Sequence, residues 1–438
     1  MPEELVGRCT DAVALAQAAG AQEVFATASD RREIDFQYRD GALEKVQEST
    51  SRSLSLQLYV DGRYSSHSTT DLRADRLQSF VDEAIALTRM LEEDPHRRLP
   101  DPELFSDRPD IDLDLVDPSL ETITEDDRIA WCQVMDEQLR EDKRTISTTS
   151  GVNQSDGTSA KVSSNGFTGT QTTTSIWMGT EVTLEDPTGG RPESWCWVGG
   201  RHRDQLWDPD RIADDAMRRG AARLGSTKGP TKTATMVVDP RSGRRLIGAL
   251  LRSANARSIQ QGRSFWADKQ GQKLFSEALS ITDDPLIVRG LASRLYDGEG
   301  ISARAVPIIH EGVVQDVYVD TYYGRKAELA PTTGSSSNRV VHPGEGDLAE
   351  ILADVGDAIY VSSWLGGNSD GTTGDFSFGL RGHLVAGGVV GAPIGEMNIT
   401  GNLLDLFASL VRVGADPWPY STTLCPTLVF EGVQFSGA

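Results

Sequence analysis

Cysteine is scarce in this chain, and its cysteines are far apart. The 438 residues include four, and no two of them have C-x-x-C spacing. Zinc ribbons and disulfide frameworks need cysteines in closely spaced, repeated pairs. We therefore predict four reduced and mostly buried thiols rather than a zinc site or a set of disulfides. They are Cys9, Cys132, Cys196 and Cys425.

Positive charge is also scarce. The chain has 43 Lys and Arg against 65 Asp and Glu, which gives a net charge of −22. Binding to nucleic acid requires basic side chains that replace counterions along the phosphate backbone, and anionic membranes attract the same side chains. The sequence has no cluster of basic residues interleaved with aromatic residues. We therefore expect no nucleic-acid partner and no membrane partner.

Long apolar runs are missing as well. No window approaches the apolar length of a membrane span. The first segment, MPEELVGRCTDAVALAQAAG, is acidic at its start and has the spacing of an amphipathic helix. A signal peptide would have a basic start and a longer apolar run. These features predict a cytoplasmic protein.

The chain does have enough apolar residues, 38%, for globular cores, and its length predicts two or three domains. We predict an α+β fold. Its N-terminal region would have an antiparallel sheet with flanking helices, and its C-terminal domain would be β-rich, with a large curved antiparallel sheet and one long helix. The predicted segments are an N-terminal α+β domain (1–97), an extended acidic and proline-rich connector (98–118), a central α+β region (119–227) and the C-terminal domain (228–438).

Capping residues locate several of the helices. Thr124 precedes a helix that is predicted from about Glu125 to Lys143. Asp239, followed by proline, begins the long C-terminal helix, whose predicted apolar face extends to Ala254. A last helix is predicted over about 402–413.

The segment 366–402 is rich in glycine and threonine. A phosphate-binding loop would need a lysine followed by Ser or Thr at the start of a helix, and this segment has no lysine. Short apolar runs on either side of Gly387 and Gly388 instead predict a β-hairpin. Asp375 is expected to anchor a turn of this segment by accepting backbone N–H bonds.

Motifs for independent catalysis are weak. His310 and Glu311 begin like a zincin helix, but no second histidine follows one turn later, and the alternating flanks predict a hairpin tip. Ser377 does not match G-x-S-x-G, and no helix is predicted after it, which argues against a nucleophile elbow.

Two acidic pairs are candidates for acid–base chemistry or for cation binding. They are Asp283 with Asp284, and Asp297 with Glu299. Because the whole chain is acidic, we interpret both pairs as solvated turns.

An ordered series of segments resembles the TldD/PmbA family, and the resemblance covers essentially the whole chain. It implies the fold of that family and a relation to zinc metallopeptidases. The segments that carry it are GRSFWADKQGQKL, ITDDP, YDGEG, HEGVVQDVYVDTYYGRKA, GNSDGTTGDFSFGLRGHLVAGGVVGAPIGEMNITGNLLDLF and PTLVFEGVQFSG.

The family has two branches. TldD chains carry H-E-x-x-x-H on the long helix before the S-F segment, with a cysteine near the C-terminus, whereas TldE (PmbA) chains lack the motif and pair with a TldD chain. The corresponding positions in this sequence are Ile247, Gly248 and Arg252, and no His, Asp, Glu or Cys occurs over 241–266. Cys425 has no histidine partners in the sequence around it. The chain therefore resembles the TldE branch, which implies no metal in this chain and zinc in a TldD-like partner.

This resemblance implies a non-catalytic subunit of a heterodimeric zinc metallopeptidase that acts on unfolded peptides or peptide precursors. Two alternatives stay open. One is a subunit of a related amidohydrolase that acts on a small metabolite or a modified peptide, and the other is a homodimeric peptide-binding protein without a protease role. The glycine-rich hairpin is expected to line the substrate cavity, although a purely structural turn is an equal alternative. Its candidate lining residues are Asn368, Thr372, Thr373, Gly374, Asp375 and Ser377.

Overall fold

The first half of the chain is built around one antiparallel sheet of six strands. The computed structural model describes residues 2–437. The sheet has the order β3-β2-β1-β4-β5-β6, and helices pack on it. The elements are α1 (Pro2–Ala18), β1 (Glu23–Arg39), β2 (Ala42–Val60), β3 (Arg63–Thr69), α2 (Ala74–Thr88), α3 (Glu125–Arg140), β4 (Thr145–Ser163), β5 (Thr168–Leu184), β6 (Glu193–Gly200) and α4 (Pro209–Ala221).

Strands β1 and β4 are the centre of this sheet. They pair continuously from Phe25 opposite Ser163 to Arg39 opposite Thr149. Strand β1 comes from the segment 1–97 and β4 from the segment 119–227, so one sheet includes strands of both segments. The residues between α2 and α3 contain two short helical turns, at Pro102–Phe105 and Pro118–Thr122.

The second half of the chain contains two further sheets. One has five strands in the order β11-β10-β9-β12-β17, and the other has seven in the order β16-β18-β8-β13-β14-β15-β7. The elements are β7 (Thr227–Lys228), β8 (Lys232–Val238), α5 (Pro240–Leu251), α6 (Ala256–Gln260), β9 (Ile281–Asp284), β10 (Val306–His310), β11 (Val313–Val314), α7 (Thr321–Ala327), β12 (Asn338–Val341), α8 (Leu348–Asp354), β13 (Ala358–Ser369), β14 (Asp375–Ala386), β15 (Val389–Asn402), α9 (Leu403–Ala408), β16 (Leu410–Val413), β17 (Thr423–Leu424) and β18 (Leu428–Ser436).

The seven-stranded sheet closes on itself. Besides its neighbour β14, strand β15 pairs with β18, with Asn398 opposite Ser436 and Ile399 opposite Phe435. Strands β18, β8, β13, β14 and β15 therefore form a closed ring, which removes the exposed edges that an open sheet would have. Large buried side chains such as Phe378 and Phe430 contribute to the core of this half. The predicted α+β fold with a curved C-terminal sheet is confirmed.

The predicted helix starts agree with the structure. Thr124 forms a capping box with Asp127, and the Asp239 carboxylate accepts the backbone N–H of Arg241 at the start of α5. The helix ends differ. Helix α5 ends at Leu251, short of Ala254, and a separate helix α6 begins after Asn255, which accepts the N–H of Ser258 as its N-cap.

The final predicted helix, over 402–413, is wrong in its second half. Helix α9 ends at Ala408, and the following residues form strand β16. Leu410 pairs with Phe430 of β18, so pairing with a distant strand overrides the local helical pattern.

The interpretation of both acidic pairs as solvated turns is wrong. Asp283 and Asp297 are buried, with 1% and 3% of their surfaces exposed. Asp283 accepts hydrogen bonds from the Ser337 backbone and the Tyr318 hydroxyl, and Asp297 accepts backbone N–H bonds, including that of Ile301. Burial raises the pKa of Asp283. These carboxylates satisfy buried donors and hold loops together.

Two smaller predictions are confirmed. His310 ends β10 and Val313 starts β11, so His310 and Glu311 lie at a hairpin and not on a helix. All four cysteines are free and buried. Burial raises the pKa of the Cys9 thiol to about 11, which leaves it protonated and unreactive at neutral pH.

Candidate functional site

The glycine-rich segment forms two consecutive hairpins. Strands β14 and β15 turn at Gly387 and Gly388, which have φ angles of 53° and 80°, as the sequence predicts. Strands β13 and β14 are joined by a turn at residues 370–374. All the candidate lining residues lie at this end of β13 and β14. Asn368 and Ser377 are opposite each other in the strand pair, and both are exposed.

Asp375 holds this turn, but not in the predicted way. Its carboxylate accepts hydrogen bonds from side chains, namely Nδ2 of Asn402 at 3.0 Å and Oγ1 of Thr373 at 2.8 Å, instead of backbone N–H groups. These bonds, that of Asn402 first, lower the pKa of Asp375. Thr372 and Thr373 are exposed, whereas Gly374 is buried.

The three positions that the resemblance places at the zinc motif lie on α5 and at its C-terminal cap, and they face different surroundings. Ile247 is fully buried in the core, and Arg252 is exposed just beyond the end of the helix. Gly248 faces open space, because a Cβ atom built on it meets nothing within 4 Å. Cys425 is buried against the same helix, with its Sγ 2.5 Å from a Cβ built on Gly243.

The hairpin and helix α5, which the sequence analysis treated as separate candidates, are in contact. Nη2 of Arg245 donates to the carbonyl of Gly367 at 2.8 Å. At the end of the helix, Gly371 packs against Ser253, and its carbonyl accepts the N–H of Phe265 at 3.0 Å. The turn therefore lies over the C-terminal end of α5.

The side chains of this region do not fit a zinc ion. Zinc in proteins is held by Cys, His, Asp or Glu, and none of these occurs from Arg241 to Trp266. Within residues 2–437, no group of three or more such side chains is arranged to hold a metal ion. A zinc-dependent step therefore cannot be assigned to the residues of α5.

A cavity of about 500 Å³ lies beside α5 and was missed by the sequence analysis. Its lining, as far as residues 2–437 form it, includes four arginines and no acidic residue. Three of the arginines come from α5 and the fourth, Arg339, from β12, so no local pattern shows the group. The available signal was the composition of α5, which contains three arginines and no acidic residue. The lining residues are Trp195, Arg241, Ser242, Arg244, Arg245, Arg339, Ser363, Trp364, Ser421, Thr422 and Thr423.

A buried ionic network joins α4 to the start of α5. Asp215 of α4 accepts from Arg241 at 2.6 Å, and Arg219 donates to Asp239 at 2.8 Å. Burial raises the pKa of Asp215, but the hydrogen bond and the charge of Arg241 outweigh it, so the pKa lies below its ordinary value. The network fixes the cavity-lining helix to the first half of the chain.

One further finding concerns membranes: none of the helices described over residues 2–437 has the length and the apolar character that crossing a bilayer requires.

Family models match nearly the whole chain. Domain 1 of the PmbA/TldA metallopeptidases matches residues 23–88, the central domain matches 118–224, and the C-terminal domain matches 231–437. Metalloprotease PmbA from Escherichia coli O157:H7 is 27% identical over 410 residues, which are 92% of this chain and 90% of the relative. A metalloprotease PmbA homolog from Haemophilus influenzae is 25% identical and covers 99% of this chain and 96% of its own length.

Solved structures share the fold. A proposed modulator of DNA gyrase from Bacteroides thetaiotaomicron has a TM-score of 0.95 at 34% identity, and the match covers 99% of this chain and 98% of that one. TldE from Thermococcus kodakarensis has a TM-score of 0.86 at 16% identity, over 98% of this chain and 100% of that one, which shows a common fold alone. Because the three family models together match nearly its whole length, the chain belongs to the PmbA/TldA metallopeptidase family.

Proposed function

We propose that this chain is a non-catalytic, TldE-like subunit of a heterodimeric zinc metallopeptidase. The observation that carries the proposal is the donor set of α5, which has no side chain able to bind zinc or to act as a general base. The zinc, its histidines and the catalytic glutamate would come from a TldD-like partner in the cytoplasm. The role of the present chain would be to complete the substrate chamber.

The substrate we propose is an unfolded peptide or a peptide precursor. The β13–β14 end supports this, because its exposed backbone and its glycines let an extended peptide approach closely and add as a strand. Gly366 and Gly367 have φ angles of 143° and 102°, which are accessible to glycine and strained for other residues. Asn368, Thr372, Thr373, Gly374, Asp375 and Ser377 are proposed to line the chamber.

The decisive experiment is co-expression of this chain with a TldD-like chain from the same genome. We expect the two to co-purify, the zinc content to be one per pair, and hydrolysis of unfolded peptides to require both chains. A partner whose catalytic glutamate is replaced by glutamine is the control, because it should still bind this chain without hydrolysing peptide.

Three results would overturn the proposal. One is about one tightly held zinc per purified chain. Another is peptide hydrolysis by this chain alone that a chelator abolishes. The third is a stable homodimer that binds peptide and ignores every TldD-like chain offered, which would favour the homodimeric peptide-binding protein.

A further inference from the structure

The arginine cavity beside α5 concentrates positive charge in a strongly acidic protein. Arg241, Arg244, Arg245 and Arg339 line it, and among the described residues no Asp or Glu does. Arg241 is neutralised in part by Asp215, at 2.6 Å. The other three make no ion pair with any residue in the described range 2–437.

Several donors of these arginines are unused. The Nε atoms of Arg245 and Arg339 are buried and have no hydrogen-bond partner among the described residues. The side chain of Arg244 is exposed and makes no hydrogen bond within the same range. The buried Nε atoms are out of reach of a ligand, whereas the exposed guanidinium of Arg244 is available to a ligand that supplies acceptors.

The shape and the rest of the lining indicate the kind of acceptor. Guanidinium groups match planar carboxylates in shape and in the spacing of their hydrogen-bond donors. Trp195 and Trp364 also line the cavity and offer apolar contacts to the stem of an organic anion. The volume of about 500 Å³ accommodates a residue-sized group rather than a single ion.

The cavity is connected to the proposed peptide site through Arg245. This side chain lines the cavity and donates to the carbonyl of Gly367, in the hairpin proposed to bind peptide. A peptide that adds to the hairpin therefore passes beside the arginines.

We propose that this cavity binds a carboxylate of the peptide substrate, either an acidic side chain or the terminal carboxylate. The inference rests on the proposed function for the identity of the ligand as a peptide. It assigns a preference for acidic peptides to the present chain, whereas cleavage belongs to the partner.

The test is calorimetric titration of the purified full-length chain, without any partner, with three peptides of strand length. The first contains glutamates and is capped at both ends, the second has glutamines in their place, and the third is the glutamine peptide with a free terminal carboxylate. Inorganic phosphate is titrated separately. We expect the first or the third peptide to bind measurably more tightly than the second, with an affinity that falls as salt rises.

Variants locate the binding site. Arg244→Gln combined with Arg339→Gln should weaken binding of the carboxylate peptide at least about tenfold, because charged hydrogen bonds are lost. The melting temperature should stay unchanged, since neither side chain has an ionic partner among residues 2–437. Arg257→Gln removes an exposed arginine of α6 that does not line the cavity, and it should bind like the wild type.

Equal binding of all three peptides would overturn the inference, as would binding of phosphate alone. It would also be overturned if the double variant bound peptide normally but lost affinity for a TldD-like partner, because the arginines would then belong to the subunit interface. These outcomes leave the proposed function intact, since co-purification and joint activity are measured separately.

Discussion

Arg245 of helix α5 donates from Nη2 to the carbonyl of Gly367, 2.8 Å away, and so links the helix to the hairpin that follows it by more than a hundred residues. The guanidinium also lies 4.9 Å from the centre of the Phe378 ring. Because Gly367 has a φ of 102°, its carbonyl is presented by a backbone conformation that other residues rarely adopt. The helix and the turn of the hairpin are therefore expected to move together.

The first prediction concerns this link. Arg245→Met keeps the length of the side chain but removes the hydrogen bond, so we expect a loss of about 1 kcal/mol in the free energy of unfolding. Amide exchange of residues 366–374, followed by mass spectrometry, should become faster. Arg244→Met is the matched control, because Arg244 makes no hydrogen bond within residues 2–437. Equal exchange in the two variants would show that the link does not order the turn.

The second prediction tests the hairpin as a peptide surface. Thr372 is exposed and its hydroxyl makes no hydrogen bond to a described residue, whereas the hydroxyl of Thr373 is bound to Asp375. Thr372→Trp should therefore keep the melting temperature and partner binding while reducing peptide hydrolysis by the complex about tenfold or more, because the indole would cover the turn.

The control for that variant adds the same bulk elsewhere. Val389, at the opposite end of β14 and β15, is 69% exposed, and Val389→Trp should leave hydrolysis unchanged. Full activity of Thr372→Trp would instead mean that the turn has only a structural role.

Much of the fold could be predicted from local patterns. The caps at Thr124 and Asp239 and the glycine turn at Gly387 depend on interactions within a few residues, so the sequence shows them directly. The end of α9 and the closure of the seven-stranded sheet depend on β18, because Leu410 and Ile399 both pair with β18 residues that are distant along the chain. Pairings of that kind leave little local signal.

The candidate site was predictable only in part. The sequence shows directly that residues 241–266 contain no His, Asp, Glu or Cys, and the proposed function rests on this absence of zinc ligands. The arginine cavity cannot be read in this way, because Arg339 reaches α5 only through the placement of β12. Asp283 and Asp297 were wrongly predicted to be solvated for the same reason. Their burial depends on loops distant in sequence that supply backbone hydrogen-bond donors.

The third prediction concerns the buried ionic network. Asp215→Asn removes a partner of Arg241 and leaves a buried cation, so we expect a loss of about 3 kcal/mol in the free energy of unfolding near neutral pH. Asp214→Asn changes the exposed neighbouring carboxylate, which accepts from Gln138, and should cost less than about 0.5 kcal/mol. The measurement is urea unfolding of both variants and the wild type.

The pH dependence gives an independent check of that network. The pKa of Asp215 is lower in the folded than in the unfolded chain, so its stabilising contribution is complete above about pH 4 and is lost as the pH falls through the folded pKa. The difference between wild type and Asp215→Asn should therefore be constant near neutral pH and shrink below pH of about 4. A difference that grew on acidification would contradict the assignment.

The fourth prediction concerns His383 of β14, which is 7% exposed and stacks on Tyr360. Its Nε2 donates to the carbonyl of Ala222 at 2.8 Å, whereas Nδ1 is buried without a partner among the described residues. Burial lowers the pKa of this histidine, and the nearby charge of Arg223 lowers it further, against the opposing effect of the Ala222 carbonyl. Protonation of the folded state is therefore disfavoured.

Since the pKa of His383 is lower in the folded state, the unfolded chain takes up the proton first as the pH falls below about 6.5. Stability should decrease from that pH down to the folded pKa and recover as the pH rises. His383→Gln retains a donor for the Ala222 carbonyl but does not titrate. Between about pH 7.5 and 5.5, a window around the reference histidine pKa of about 6.5, its urea midpoint should therefore fall less than that of the wild type. His342→Gln, which makes the same substitution at an exposed histidine bonded to Thr282, is the comparison variant. If His383→Gln kept the wild-type slope, the extra proton uptake of the unfolded chain would come from another group, and the buried imidazole would not be what makes the protein sensitive to mild acid.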